Sequence, residues 1–231
     1  MNNLSSNRMN NRLNLSVLAV TATCFLASAA SANIISTSGP VSKINRPSDA
    51  RLNVLTNSHR AMVWNEAQNV ALADALWVDA FQHGKLFDQV SDLKGKFLPA
   101  NLVVSSHYVH FDSACEQAAQ LACASITFDK PIVGVIMLNK AGKRSIDDSD
   151  AKFGMGTHFT KGLDLRGLEL DKCKDSFSIS NDGRKLTFSS CISNPGDFFR
   201  VLTSDCTVVP TPGAAALIGV GGLLMGRRRR A

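Results

Sequence analysis

Residues 176–190 read SFSISNDGRKLTFSS, and this stretch decides the fold class. Ser176 to Ile179 and Lys185 to Phe188 alternate apolar with polar side chains, the period of a half-buried strand. Asn181-Asp182-Gly183 between them has the chemistry of a tight hairpin turn, because asparagine, aspartate and glycine tolerate the positive φ that such turns need. An antiparallel pair is therefore predicted here.

Working outward, the same texture recurs. Short apolar runs occur at Ala61 to Trp64, Ala75 to Val78, Leu102 to Val104, His107 to Phe111, Ala122 to Phe128, Ile132 to Leu138 and Phe198 to Leu202. Each has strand length and is rich in β-branched and aromatic residues. Asp112 to Ala122 is open to a helix or to a loop that carries two cysteines. Ser145 to Phe153 is read as a loop with a single helical turn. Many short strands with few helices predict an all-β fold, an antiparallel β-sandwich of jelly-roll-like type; the uncharged stretch near the C-terminus is read as a transmembrane helix.

The two ends differ from the middle. A polar stretch with Arg8 and Arg12 precedes an apolar run from Leu13 to Ala30, and Ala30-Ser31-Ala32 then offers an A-x-A cleavage site before Asn33. Residues 1–32 thus read as a secretory signal, and Cys24, preceded by Thr23, falls within the discarded segment. Residues 33–50, rich in Ser, Asn and Pro, read as a flexible lead-in to a sandwich domain over 51–206. Residues 207–231 form a tail. Pro210 and Pro212 interrupt regular structure, and Val208 to Met225 carries no charge over 18 residues. Arg227, Arg228, Arg229 and Arg230 follow as a block. The uncharged length is near the lower limit for a membrane span, and the four arginines would act as its stop on the cytoplasmic side.

The net charge of +6 belongs to these ends. Without the six terminal arginines, 19 basic residues face 19 acidic ones. A neutral body gives no support to nucleic-acid binding.

The order of motif, span and arginine cluster resembles the PEP-CTERM sorting signal of exported bacterial surface proteins. The family's Pro-Glu-Pro is here Pro210-Thr211-Pro212, within Val209-Pro210-Thr211-Pro212-Gly213, which looks like a variant of that signal. The resemblance implies an exosortase as partner, cutting near the motif. A plain C-terminal membrane anchor that is never cut is the alternative. The phrases SHYVHFDSA, ASITFDKPIVGVI, SIDDSDAKFG, RGLELDKCKDSFSISNDGRKLTFSS and GDFFRVLT, between about Arg60 and Thr203, are similar to secreted β-sandwich members of the same group. They imply a fold and no chemistry.

Candidate sites are few. Export permits disulfides, and Cys115 with Cys123 and Cys173 with Cys191 are the near-neighbour pairs, leaving Cys206 over. His107 and His110, three apart on a strand, point to opposite faces and are read as exposed. Asp147, Asp148 and Asp150 could offer oxygen ligands to calcium, but the EF-hand pattern is missing, and a solvated loop with a capping aspartate is the simpler reading. Trp64 and Trp77 sit in apolar runs and are read as core, although Trp64, Trp77 or Tyr108, if exposed, would suit a sugar platform. Gly154-Met155-Gly156 lacks the context of a phosphate loop, and no serine-nucleophile motif occurs. The expectation is a non-catalytic envelope or extracellular-matrix protein without cofactor or metal. A carbohydrate-binding module for extracellular polysaccharide on the same fold is the alternative, and a hydrolase has no motif in its favour.

Overall fold

The computed structural model describes residues 31–113, 118–138, 145–162, 166–171, 175–192 and 196–205. Among these residues, twelve strands and one α-helix follow in chain order: β1 (Ile34–Ser38), β2 (Val41–Lys43), β3 (Ala61–Ala71), β4 (Leu76–Val78), β5 (Leu86–Phe87), β6 (Lys96–Leu98), β7 (Val103–Phe111), β8 (Ala119–Phe128), β9 (Ile132–Ile136), α1 (Ser145–Phe153), β10 (Ser176–Ile179), β11 (Lys185–Ile192) and β12 (Asp197–Thr203). A short 3₁₀ turn spans Val90–Asp92.

Two five-stranded sheets form, one in the order β1-β8-β11-β10-β5 and the other β2-β3-β7-β12-β9; β4 and β6 make a two-stranded ribbon. Pairing is antiparallel except between β2 and β3. The sheets face each other across one apolar core. Ile126, Phe128, Phe177, Leu186 and Phe188 come from the first sheet, and Val63, Val109, Val135, Phe199 and Val201 from the second. The chain is thus an all-β sandwich.

The hairpin expected at 176–190 is present, with Phe177 opposite Phe188 and Ile179 opposite Leu186. Gly183 closes the turn at φ +71, and its N–H donates to Ser180 O at 2.9 Å. A side chain there would also meet the His83 ring. On β11, Leu186, Phe188, Ser190 and Ile192 face inward while their neighbours are less buried, the period-two pattern of a strand with one wet face. Phe87 of β5 stacks on Phe177 with ring centroids 4.6 Å apart.

Strand β12 behaves differently: all seven residues are buried. It lies inside its sheet between β7 and β9, and its outer face is covered as well. Leu202, Val104 and Ile136 pack there against Ile146 and Phe153 of α1 and against Leu76, Val78 and Leu98 of the ribbon.

Two local expectations are corrected, and a third that was open is narrowed. The segment expected to be a flexible lead-in supplies β1 and β2, one for each sheet; backbone pairing holds these polar residues without apolar side chains on both faces. Ser145 to Phe153 is a nine-residue helix instead of a loop with one turn. Ile146, Ser149, Asp150 and Phe153 recur at helical spacing and form its buried face. The described part of Asp112 to Ala122 contains no helix; β8 begins at Ala119. Among the described residues no helix is long and apolar enough to cross a membrane, and the tail expected to do so lies outside them.

Candidate functional site

Three polar constellations carry the chemistry of the described residues. The first lies on the outer face of the second sheet. Outward positions there bring together Glu66 of β3, Ser106 and Tyr108 of β7, and Arg200 of β12. Arg200 is fully buried and spends its guanidinium completely. Its Nε and Nη2 donate to the two oxygens of Glu66 at 2.8 and 2.7 Å. Nη2 also donates to Asp150 Oδ1 at 2.6 Å, and Nη1 to Ile146 O at 2.9 Å and Ser149 Oγ at 2.8 Å. Asp150 bridges to a second buried arginine: Arg166 Nη1 donates to Asp150 Oδ2 at 3.0 Å and to Asp147 Oδ1 at 2.5 Å, and Nη2 to Tyr108 Oη at 2.8 Å.

Burial opposes the charge of both guanidinium groups. For Arg200 the Glu66 carboxylate, and for Arg166 the Tyr108 and Asp150 groups, more than offset it and hold both above the ordinary arginine value. Burial also raises the Tyr108 phenol. A fork that donates bidentately to a carboxylate is the strongest geometry available to this pair. Its role here is to clamp α1 to the sheet. The expected solvated loop at Asp147, Asp148 and Asp150 is thereby corrected: Asp148 is exposed, while Asp147 and Asp150 turn inward to the arginines. Among the described residues no group of three His, Cys, Asp or Glu is placed to hold a metal ion.

The second constellation is on the inner face. His107 Nδ1 donates to Asn65 Oδ1 at 2.9 Å, and its Nε2 accepts from the Thr203 hydroxyl at 2.9 Å. A hydroxyl, an imidazole and an orienting amide in line form the arrangement of an activated nucleophile. Thr203 is fully buried, however, and Phe128 lies 4.7 Å from the His107 ring, so no substrate can approach. His110 faces the other way, with Nε2 donating to Leu55 O at 2.7 Å and its ring 4.5 Å from Phe198. The two histidines do occupy opposite faces, but both are fully buried, which corrects the expectation of exposure. Both faces of β7 are covered, so neither side of the strand meets water. Burial pushes His107 down to about 3, helped by the Lys43 charge, and His110 down to about 4. Both rings are neutral.

Of the aromatic residues, Trp64 is fully buried and stacks on Tyr108 at 5.0 Å. Trp77 is half-buried, edge-on to Phe97 at 5.0 Å, with Nε1 donating to Asp79 Oδ1 at 3.0 Å. Cys123 is exposed on β8 and Cys191 half-buried on β11. Cys115, Cys173 and Cys206 lie outside the described residues, and with them one member of each expected disulfide. The sorting motif Val209, Pro210, Thr211, Pro212 and Gly213 lies outside them too, as do the membrane stop Arg227, Arg228, Arg229 and Arg230 and the cleavage-site residue Ala30. Ala32 is buried, and the exposed Asn33 donates its N–H to Asp129 Oδ1 at 2.7 Å.

The third constellation is a groove at the β9 edge of the second sheet. After β4, residues 79–83 run along β9, fixed by Asp79 N to Val135 O and Val135 N to Ala80 O, both 2.8 Å. The Asp79 carboxylate anchors this segment by accepting Met137 N at 2.9 Å and Leu138 N at 3.0 Å. Gly134 allows the approach, since a Cβ there would lie 2.5 Å from Val78. His83 Nε2 donates to Ile132 O at 2.8 Å. The resulting groove encloses about 530 Å³ between Phe81, Gln82, His83 and Lys96 on one side and Pro131, Ile132 and Val133 on the other. Lys96 Nζ lies 4.1 Å above the Phe81 ring. Gln82 Oε1 is buried without a hydrogen-bond partner among the described residues.

Compared with protein-family models, curated proteins and solved structures, the chain matches none. The reading of the site therefore rests on its own geometry. The arginine layer and the His107 array are satisfied and closed. The β9-edge groove is the open one, and it joins a cation, an acceptor and an apolar wall. Of its residues only Ile132 and Val133 stand out in the sequence, as part of a strand-like apolar run. Lys96 and Gln82 belong to no motif, and only the fold brings 81–83, 96 and 131–133 together.

Proposed function

We propose that this chain is an exported, non-catalytic β-sandwich protein of the cell envelope or extracellular matrix, sorted by an exosortase through its C-terminal tail. The observation that carries this is the order of Val209-Pro210-Thr211-Pro212-Gly213, an uncharged span and the block Arg227, Arg228, Arg229 and Arg230, opposite a basic, apolar N-terminus that ends in Ala30-Ser31-Ala32. The neutral body between them supports a passive role, because its two buried arginines and two buried histidines are spent on structure. Repeated crossing of the chain between sheets, as in β7 to β8 to β9, favours a jelly-roll-like connectivity, and the tail would form the transmembrane helix.

Replacement of all four arginines, Arg227 to Arg230, by alanine tests this in the native host. The span then lacks its cytoplasmic stop, and the protein is expected to lose its normal distribution among membrane, envelope and medium. An unchanged distribution contradicts the sorting role.

A second reading, a carbohydrate-binding module, is favoured by the β9-edge groove, whose volume falls within the ~300–1,000 Å³ of small-ligand sites. Trp64 and Tyr108, which would suit a sugar platform only if exposed, are buried, and the groove offers Phe81 instead.

A further inference from the structure

Three contacts pin Ser204 and Asp205 to one end of the sandwich. Ser204 N donates to Pro131 O at 3.0 Å, its hydroxyl donates to Val103 O at 2.6 Å, and Asp205 pairs with Lys130 at 2.8 Å. Asp205 is thus held beside the turn between β8 and β9. The β10–β11 turn lies at the same end, because Phe128 N donates to Arg184 O and Ile132 N to Gly183 O, both at 2.8 Å. Asn33 joins them through its N–H to Asp129 Oδ1.

The residues after Asp205 set a distance. Val208 to Met225 supplies 18 uncharged residues, near the lower limit for a span, so none can be lent to a longer tether. Cys206 and Thr207 alone then join the body to the span. Three residue steps reach at most about 11 Å, and the headgroup zone takes about 5–7 Å of that. No more than about 6 Å is left between Asp205 and the headgroup surface. We propose that the end of the sandwich bearing the β8–β9 and β10–β11 turns rests on the lipid headgroups while the tail spans the bilayer. This rests on the reading of the tail as a membrane span. The surface chemistry of this end agrees with it. Its acids are engaged: Asp205 with Lys130, Asp129 with Asn33 N, and Asp182 with Ser180 and Arg184 N. Arg184 and Lys185 are exposed and form no ion pair among the described residues, which suits anionic headgroups. The motif Val209 to Gly213 then lies in the headgroup layer beneath the two turns, reachable by an enzyme that works in the plane of the same bilayer.

The test is photo-crosslinking of the full chain in vesicles of phosphatidylcholine and phosphatidylglycerol. One variant is Arg184→p-benzoylphenylalanine, at the proposed contact. The other is Val54→p-benzoylphenylalanine, exposed at the far end, where Asn53 N donates to Asp112 Oδ2 just beyond β7. The nine residues of β7 set the two ends about 30 Å apart. Thermal melts check that each variant is folded, and Lys185→p-benzoylphenylalanine is a second reporter for the contact end. Lipid adducts at 184 and 185 and none at 54, read by mass spectrometry, are the expected result. A Gly-Ser spacer of about 20 residues after Asp205, with an r.m.s. span of about 25 Å, should remove them. Adducts equal at both ends, or absent from both, in a chain that floats with the vesicles overturn the proposal and leave the span in place. Adducts that persist with the spacer overturn it as well, because the tether would not set the contact. A folded chain that does not float contradicts the span itself, and the sorting reading falls together with the proposal.

Discussion

Arg200 and Glu66, on strands β12 and β3 that flank β7, form two parallel hydrogen bonds of 2.8 and 2.7 Å with both side chains fully buried. The same guanidinium reaches Asp150 of α1. Arg200→Leu would strand the Glu66 carboxylate in a dry layer and leave Asp150 to Arg166 alone, and should destabilise the protein by about 3–5 kcal/mol. Urea unfolding of the full chain measures this. Adding Glu66→Met should recover part of the loss, because one stranded charge is removed. A loss below about 1 kcal/mol in the single variant would show that the layer holds little.

The buried histidines make stability depend on pH. His107 and His110 titrate at about 3 and about 4 when folded, against about 6.5 when unfolded. The unfolded chain therefore takes up protons first, and the contribution of both groups is present above pH 6.5 and lost as pH falls. Asp175 opposes them. Burial first, then the Glu169 charge, raises it to about 6, so it protonates in the folded state before the unfolded one. Burial raises the Asp112 carboxyl in the same sense. Between pH 6 and 4 the two histidines outweigh Asp175, and stability should fall on acidification by at most about 1.4 kcal/mol per pH unit. Urea midpoints across this range check it, and His107→Gln should flatten the slope. A stability that is constant or rises on acidification contradicts the assignment.

Gly183 links the hairpin to the groove. Gly183→Ala places a Cβ at φ +71 and within 2.4 Å of the His83 ring. A loss of about 1–2 kcal/mol is expected from the backbone alone. The His83 ring must also shift away from Ile132 O, which adds to the loss. Full stability in this variant would mean that the turn relaxes into another form.

The two prolines of the tail motif give a further prediction. Pro210→Ala with Pro212→Ala keeps the span and the arginines but removes the motif. Uncut protein should then accumulate in the membrane fraction, read by immunoblot against the native chain. Normal processing of this variant would place the recognition determinant elsewhere.

Much of the sandwich is legible in the sequence, because one-sided strands such as β10 and β11 alternate and their Asn181-Asp182-Gly183 turn is distinctive. Strands β1 and β2 are not legible. They are short and mostly polar, each giving one side chain to the core, Ile34 and Val41, and cross-strand backbone pairing supplies the rest. The helix at Ser145–Phe153 carries a faint signal in Ile146, Ser149, Asp150 and Phe153, but its acids read as solvated until Arg166 and Arg200 are known to face them. Arg200 itself sits in the apolar run FFRVL, and a charge inside a doubly covered strand requires a partner that only tertiary structure supplies. The groove is the extreme case, since Lys96 stands 14 residues from Gln82 and 35 from Pro131 in the chain.

Mass spectrometry of the mature protein from its native host tests the central claim most directly. Export with exosortase sorting predicts an N-terminus at Asn33 and a C-terminus upstream of the uncharged span, with Arg227, Arg228, Arg229 and Arg230 all absent. A chain that still ends at Ala231 contradicts sorting by cleavage, and one that still begins at Met1 contradicts export.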